Sequence, residues 1–184
     1  MAASPFNLSG RAALITGANT GLGQAIAIAL AEAGAEIVAV GRTEPTETQA
    51  AVLALGRRFL AVQADLDSTE AIPAVVDAAV AEFGEIDILV NNAGIIRRCE
   101  AIDFSEADWD AVMNVNLKSA FFLTQAVGRR MLAARRGKII NIASLLSFQG
   151  GIRVASYTAS KSGIACRRQR ASQPPSTGMT APCT

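Results

Sequence analysis

Short apolar runs alternate along the chain with longer segments in which apolar residues recur at helical spacing. The apolar runs predict five buried strands, at residues 12–16, 36–40, 59–63, 87–90 and 138–142. The segments between them predict helices at about residues 22–33, 68–83 and 105–134, and a further helix that begins near Ser156. Strands that alternate with helices of this length pair in parallel through right-handed crossovers. The pattern therefore predicts an α/β fold with a Rossmann-type, doubly wound parallel sheet in a three-layer α/β/α arrangement.

Composition fits strands that are buried on both faces of a sheet, because 51% of the residues are hydrophobic and only 18% are charged. With a net charge of +1, no overall field favours nucleic acid or a membrane surface. No apolar run reaches the roughly 18 residues of a membrane-spanning helix, and the N-terminus has no signal-peptide pattern. We therefore expect a cytoplasmic protein whose partner is a small molecule.

Histidine is absent from the sequence, which excludes a Ser-His-Asp triad and any histidine metal site. The three cysteines, Cys99, Cys166 and Cys183, have neither zinc-ligand nor disulfide-scaffold spacing. We expect no metal site, and a proton-transferring side chain of another type.

Residues 166–184 differ from the rest of the chain in composition. They contain no Val, Ile, Leu, Phe or acidic residue, but they contain three arginines and three of the six prolines. One interpretation is a flexible basic tail, and another is a shifted reading frame or truncation that replaced the original C-terminus. We favour the second, because the change falls inside a predicted helix. The sequence thus predicts an incomplete domain at 1–165, without the C-terminal part of its fold, and a disordered tail at 166–184.

A glycine-rich loop lies between the first predicted strand and the first predicted helix. Gly17 permits a tight turn, Gly21 lets the backbone approach a pyrophosphate, and Gly23 permits close packing of the helix on the strand. The helix N-terminus adds free N–H groups and the positive end of its dipole. A tight turn without a ligand would use the same glycines, so the loop alone leaves both interpretations open.

Two positions that follow the next strands bear on the choice of dinucleotide. Val40-Gly41-Arg42 lacks a carboxylate for the NAD ribose, and Arg42 could instead face the 2′-phosphate of NADP or lie free in solvent. Asp65, followed by Leu66, is placed either to contact adenine or to cap the next helix. On charge alone, Arg42 favours NADP.

Candidate catalytic residues follow the fifth strand and open the last predicted helix. Tyr157 and Lys161 are spaced i, i+4, which places both side chains on one helix face. A free phenol has a pKa of about 10, and a neighbouring ammonium stabilises the phenolate. Ser144 follows the strand, where its hydroxyl would hold a substrate oxygen, and Asn116 would kink the long helix through a bound water. Alone, the Tyr–Lys pair is equally typical of a helix surface.

Four motifs occur in an order and spacing that resemble the short-chain dehydrogenase/reductase family over about residues 8–165: the glycine loop, the Asn91–Gly94 segment, Ser144, and Tyr157 with Lys161. The resemblance implies an NAD(P)-dependent oxidoreductase with a Ser–Tyr–Lys–Asn tetrad. Tyr157 would be the acid/base, Ser144 the substrate orienter, and Lys161 the ribose anchor, with Asn116 as a proton relay. The cofactor contacts that it implies come from Gly17, Asn19, Thr20, Gly21, Leu22, Gly23, Arg42, Asp65, Leu66, Asn91, Asn92, Ala93, Gly94, Tyr157 and Lys161. The two asparagines are equally suited to tying neighbouring strands together, and full-length members are expected to form homotetramers.

Further segments, among them residues 96–98, 114–118 and 147–153, resemble a branch of the family that acts on deoxy sugar acids in carbohydrate catabolism. Arg97, Arg98 or Arg153 would offer a bidentate fork for the acid group, and Gln149 would bind a hydroxyl beside Ser144 and Tyr157. Each arginine is equally suited to a solvated or subunit-facing position. The branch is associated with NAD, so we expect NAD as the cofactor and NADP as the alternative.

Two alternative functions stay open, because the tetrad does not specify a substrate. The first is a general or 3-oxoacyl carbonyl reductase. The second is a non-catalytic NAD(P)-binding remnant, because members of the family continue past residue 165 with a substrate-binding loop and further strands. For the same reason we expect the chain as written to have little or no activity.

Overall fold

One five-stranded parallel sheet forms the centre of the protein, in a computed structural model that describes residues 6–165. Its strands are β1 (Ala12–Thr16), β2 (Glu36–Gly41), β3 (Phe59–Gln63), β4 (Ile88–Asn91) and β5 (Lys138–Asn141). Their order across the sheet is β3-β2-β1-β4-β5, and every neighbouring pair is parallel. The predicted Rossmann-type α/β architecture is confirmed. The predictions for residues 166–184 lie outside the described residues.

Seven α-helices lie within residues 6–165, together with a short 3₁₀ turn at Ala101–Asp103. They are α1 (Gly21–Glu32), α2 (Thr46–Ala54), α3 (Ile72–Phe83), α4 (Glu106–Met113), α5 (Ser119–Ala133), α6 (Leu146–Gln149) and α7 (Ala155–Ile164). The apolar pattern does not predict α2 or α6. Helix α3 begins later than predicted, because the Ser68 hydroxyl accepts the Glu70 N–H at 3.1 Å and closes a separate turn. In this part of the chain no helix combines the length and apolar character needed to cross a membrane.

The helix predicted at 105–134 is divided into α4, a π-helical turn at Asn114–Lys118, and α5. Ser105 caps α4, since its hydroxyl accepts the Asp108 N–H at 3.1 Å. The wider turn includes Asn116, which is fully buried. The interruption therefore falls at the residue for which the sequence analysis expected a kink.

Two apolar cores cover the two faces of the central strands. Successive residues of a strand point to opposite faces, so Leu14 packs in one core and Ile15 in the other. Residues of α3 and α5 complete the first core, and residues of α1 and α2 complete the second. The prediction of strands buried on both faces is wrong for β5, whose residues are all exposed. Among the described residues β5 is an outer strand of the sheet, with a neighbour on one side only.

The direction in which successive strands are added to the sheet reverses, and the boundary between the two halves lies between the neighbouring strands β1 and β4. Strands β2 and β3 lie on one side of β1, and β4 and β5 lie on the other. The loops that follow β1 and β4 therefore diverge at the carboxyl ends of these neighbouring strands. In doubly wound sheets a ligand binds in the crevice that such a reversal leaves.

A buried carboxylate joins chain segments at the opposite, amino-terminal edge of the sheet. Asp87 lies 2.9 Å from Arg11 Nη1 and 3.1 Å from Arg136 Nε, and it accepts the Ala12 N–H at 3.1 Å. Its side chain is only 8% exposed, although both arginines are about half exposed.

We expect Asp87→Asn to lower the free energy of unfolding by about 1–3 kcal/mol, because an amide lacks the charge that both guanidinium groups contact. Urea unfolding followed by circular dichroism measures this change.

The matched control for Asp87 is an ion pair in solvent. Arg153 Nε lies 3.1 Å from Glu100, and the two side chains are 58% and 60% exposed. We expect Glu100→Gln to change the free energy of unfolding by less than about 0.5 kcal/mol. Equal losses in the two variants would contradict a special contribution from burial at Asp87.

Candidate active site

The loop between β1 and α1 places its backbone directly against the end of β4. Gly17 has a φ of 68°, a left-handed conformation that favours glycine, and its N–H donates to the Val40 carbonyl at 2.7 Å. A Cβ added at Gly23 would overlap the Gly17 carbonyl and the Asn92 side chain. The start of α1 therefore approaches this loop too closely for any side chain at residue 23.

Asn91 and Asn92 tie the glycine loop and the neighbouring strands together. Asn92 Nδ2 donates to the carbonyls of Thr16 at 2.9 Å and Gly17 at 3.2 Å. Asn91 Nδ2 donates to Asn141 Oδ1 at 2.9 Å, which links β4 to β5. These bonds are the structural role that the sequence analysis weighed for the pair, and they fix the walls of the crevice.

A groove of about 180 Å³ opens at the carboxyl ends of β1, β2 and β3. Its lining is Gly17, Asn19, Gly41, Arg42, Thr43, Ala64, Asp65, Leu66, Ala93, Gly94, Ile95 and Val115. Asn19 is held by a hydrogen bond from its Nδ2 to Thr43 Oγ1 at 2.7 Å. Asp65 also accepts the Asp67 N–H at 3.0 Å, so its carboxylate closes the turn before α3 while it lines the groove.

A larger cavity of about 460 Å³ adjoins the groove, and Gly94 and Ile95 line both. The loop before α1 lines the groove through Asn19, and the first turn of α1 lines the larger cavity through Leu22. The N–H groups of that first turn have no partners within the helix, and no acidic side chain lies there. A continuous groove, a closely packed glycine backbone and a free helix N-terminus fit a dinucleotide with its pyrophosphate at α1.

The larger cavity, called the tyrosine cavity below, brings together three candidate catalytic residues: Ser144, Tyr157 and Lys161. Ser144 follows β5, and its hydroxyl accepts the Leu146 N–H at 3.2 Å. Tyr157 and Lys161 lie one turn apart on α7, with Lys161 Nζ at 5.9 Å from the centre of the Tyr157 ring. A hydroxyl, a phenol and an ammonium group thus border one space.

Lys161 is buried at the wall of the tyrosine cavity, close to Gly94, which lines both the cavity and the groove. It is 4% exposed, and its Nζ donates to the Ile142 carbonyl at 2.6 Å. Burial lowers the pKa of Lys161 from its usual value, because desolvation penalises the charged form. The Ile142 carbonyl opposes this effect by accepting a hydrogen bond from the ammonium. A Cβ added at Gly94 would lie 3.6 Å from Nζ, which shows how closely the lysine approaches the loop after β4.

Asn116 connects the loop after β4 to the helix of the candidate tyrosine. Its side chain donates to the Ile95 carbonyl at 2.9 Å and accepts the Ile95 N–H at 2.8 Å. Its Nδ2 also donates to Ser160 Oγ at 3.1 Å, and Ser160 donates to the Tyr157 carbonyl at 2.9 Å. The side chain therefore fastens the wall of the cavity, while a proton-relay role for Asn116 stays a prediction.

Two serines that the sequence analysis did not identify position the candidate catalytic residues. Ser147 Oγ donates to the Lys161 carbonyl at 2.7 Å and accepts the Ser144 N–H at 3.2 Å. Ser160 joins Asn116 to the helix that carries Tyr157, as described above. The available signal was a hydroxyl within three residues of a candidate side chain, but sequence spacing does not reveal its partner.

The residues that the sequence analysis assigned to substrate contact do not all reach the tyrosine cavity. Arg97 and Arg153 each place Nε at 3.1 Å from a carboxylate oxygen of a neighbouring loop or helix. Neither of them lines the cavity, and Gln149 does not line it either, whereas Arg98 does. Arg97 and Arg153 are therefore not placed to bind a substrate carboxylate in the tyrosine cavity.

Known proteins match the sequence of this chain over most of its length. The family described as short chain dehydrogenase matches residues 11–172. The 2-dehydro-3-deoxy-D-gluconate 5-dehydrogenase of Escherichia coli (strain K12) is 61% identical over 165 residues, which are 89% of this chain and 65% of the relative. A 3-oxoacyl-(acyl-carrier-protein) reductase of Vibrio cholerae is 40% identical over 159 residues, which are 86% of this chain and 65% of the relative.

A solved structure from Agrobacterium tumefaciens shares the fold and contains bound NADP. That protein, provisionally named a 2-deoxy-d-gluconate 3-dehydrogenase, superposes with a TM-score of 0.80 at 55% sequence identity. The match covers 88% of this chain and 64% of that chain. The chain thus spans about two thirds of the length of the proteins that it matches, at 65% of the Escherichia coli relative.

Proposed function

The chain belongs to the short-chain dehydrogenase/reductase family, and we propose that it is the dinucleotide-binding and catalytic part of a sugar-acid oxidoreductase. The reaction is hydride transfer between NAD(P) and a hydroxyl or carbonyl carbon of a deoxy sugar acid. One observation carries the proposal: Ser144, Tyr157 and Lys161 line a cavity that continues into the groove beside the glycine loop. The identity of 61% to a 2-dehydro-3-deoxy-D-gluconate 5-dehydrogenase supports the substrate class.

The groove would hold the adenosine half of the dinucleotide, and the tyrosine cavity would hold the nicotinamide half. The free N–H groups at the start of α1 would stabilise the pyrophosphate charge. Lys161 lines the tyrosine cavity beside Gly94, where it would bind the ribose next to the nicotinamide. When bound, the nicotinamide supplies or accepts the hydride.

Tyr157 is the residue that transfers the proton. In the reducing direction its hydroxyl donates a proton to the substrate oxygen as that oxygen gains charge, and in the oxidising direction its phenolate accepts the alcohol proton. Lys161 stabilises the phenolate through its charge, with Nζ at 5.9 Å from the ring centre. Ser144 donates a hydrogen bond to the same substrate oxygen and orients it for the transfer.

Fluorescence titration with NADH and NADPH, followed by single-turnover assays, tests the proposal. Binding followed by NADH oxidation in the presence of a 2,5-diketo-3-deoxy sugar acid supports it. Turnover of a 3-oxoacyl thioester alone would favour a carbonyl reductase, a candidate supported by the 40% identity to the Vibrio cholerae enzyme. Binding without any turnover would favour a non-catalytic remnant. Excess protein over NADH makes even a slow reaction measurable.

Arg42 gives a prediction about the choice between NAD and NADP. It is exposed, it lines the groove, and no carboxylate pairs with it among residues 6–165. We expect Arg42→Ala to weaken NADPH binding about tenfold and to change NADH binding less than about twofold, because a charge-assisted bond to the 2′-phosphate is lost. Fluorescence titrations give both dissociation constants.

The control for Arg42 is Arg129→Ala, which removes an exposed arginine of α5 whose Nη2 donates to Gln125 at 3.4 Å. It should leave both dissociation constants unchanged. Equal losses of NADH and NADPH affinity in Arg42→Ala would show that Arg42 does not read the 2′-phosphate.

A further inference from the structure

Arg98 differs from the neighbouring arginines in its surroundings. Arg97 Nε lies 3.1 Å from Asp108 Oδ1, and Arg153 Nε lies 3.1 Å from Glu100 Oε1. Arg98 is exposed, it lines the tyrosine cavity, and it has no ion-pair partner within residues 6–165. A cation without a counter-charge at the wall of a cavity favours an anionic ligand.

Among residues 6–165, the lining of the tyrosine cavity carries positive charge and no negative charge. Its charged residues in this range are Arg98 and Lys161, and neither Asp nor Glu lines it. Lys161 already donates to the Ile142 carbonyl at 2.6 Å and is 4% exposed, so Arg98 is the cation of this described lining that remains available to a ligand. A guanidinium group binds a carboxylate through two parallel hydrogen bonds, which fixes orientation as well as charge.

Two contacts fix the loop that carries Arg98. Before it, Asn116 binds both the N–H and the carbonyl of Ile95, at 2.8 and 2.9 Å. After it, the Cys99 N–H donates to the Arg153 carbonyl at 3.0 Å. The side chain therefore extends from a backbone that is held on both sides, which reduces the ordering required when a ligand binds.

We propose that Arg98 is the specificity-determining residue that binds the carboxylate of the substrate while Ser144 and Tyr157 hold the oxygen at the reacting carbon. The proposal rests on the proposed function and narrows it to substrates with an acid group at one end and the reacting hydroxyl or carbonyl at the other. It also separates the sugar acids from 3-oxoacyl thioesters, which have no free carboxylate to offer at this position.

The test uses a pair of ligands that cannot react, NADH with 2-deoxy-D-gluconate, since both are in the reduced form. The neutral amide of the same acid is the matched ligand, and calorimetric titration gives each affinity. We expect Arg98→Gln to weaken acid binding about 10–100-fold, the usual range for a hydrogen-bonded charge pair, and to change amide binding less than about twofold. Arg97→Gln, at the adjacent arginine, should leave both affinities unchanged, and Arg98→Lys should recover part of the loss.

Several outcomes would overturn the proposal. These are an unchanged preference for acid over amide in Arg98→Gln, a wild-type protein that binds both ligands equally, or one that binds neither. A loss of NADH affinity in Arg98→Gln would also overturn it, because Arg98 would then contact a dinucleotide phosphate. The acid titrations are repeated without NADH, which measures acid binding independently of the dinucleotide. If the wild type fails to bind NADH, that result counts against the proposed function and not against the role of Arg98. Thermal unfolding of the two Arg98 variants should match the wild type, because no ion pair within residues 6–165 is lost at Arg98.

Discussion

The Tyr157→Phe variant should oxidise NADH about 10²–10⁴-fold more slowly than the wild type in a single turnover with the diketo sugar acid. Its affinity for NADH should stay within about twofold. The substitution removes the hydroxyl that exchanges the proton, while the ring that lies 5.9 Å from Lys161 Nζ is retained. Stopped-flow absorbance with protein in excess over NADH measures the rate, and fluorescence titration measures the affinity.

Thr158→Val is the matched control, because it removes a hydroxyl from the next residue of α7, which does not line the tyrosine cavity. The control should keep the wild-type rate within about twofold. Equal rates for Tyr157→Phe and Thr158→Val would refute a proton-transfer role for Tyr157.

Gly23→Ala should weaken the binding of NADH and NADPH by about 10²-fold. An added Cβ would overlap the Gly17 carbonyl and the Asn92 side chain, and Asn92 itself bonds that carbonyl and the one before it. The methyl group must therefore displace the loop from α1, and the loss of one charge-assisted hydrogen bond to the pyrophosphate, about 1.5–3 kcal/mol, accounts for a change of this size. Fluorescence titration gives the dissociation constants, and circular dichroism shows whether the fold is kept.

Gly128→Ala supplies the control for this substitution, because a Cβ there would lie more than 4 Å from its surroundings among residues 6–165. It lies within α5, so the control should preserve both dinucleotide affinities. A folded Gly23→Ala protein that binds NADH as tightly as Gly128→Ala would exclude the glycine loop as the pyrophosphate site.

The sheet and the shared helix face of Tyr157 and Lys161 could be predicted because both depend on local patterns, whereas the place of Ser144 beside them was implied by the resemblance to the family. Strands covered by helices on both faces are continuous apolar runs, as Leu14 and Ile15 show by packing into opposite cores. The spacing of Tyr157 and Lys161 on a helix fixes their shared face without knowledge of the rest of the chain.

Features that depend on distant partners could not be predicted. A kink at Asn116 was expected, but helical periodicity contains no trace of the hydrogen bonds that its side chain forms with the backbone of Ile95. Helix α2 buries only Thr48 and Val52, so its apolar stripe is too narrow to recognise. The choice among three arginines was open for the same reason, because the carboxylates that pair with Arg97 and Arg153 lie in other segments of the chain.

Transfer of label from deuterated NADH is the most direct test that the groove and the tyrosine cavity form one hydride-transfer site. The protein, in excess over NADH that carries two deuterium atoms at nicotinamide C4, is incubated with the diketo sugar acid, and the product is analysed by mass spectrometry. We expect one deuterium on the carbon that carries the new hydroxyl, formed by the wild type and not by Tyr157→Phe in the same time. Bound NADH that yields no labelled hydroxy acid would contradict the assignment of the site.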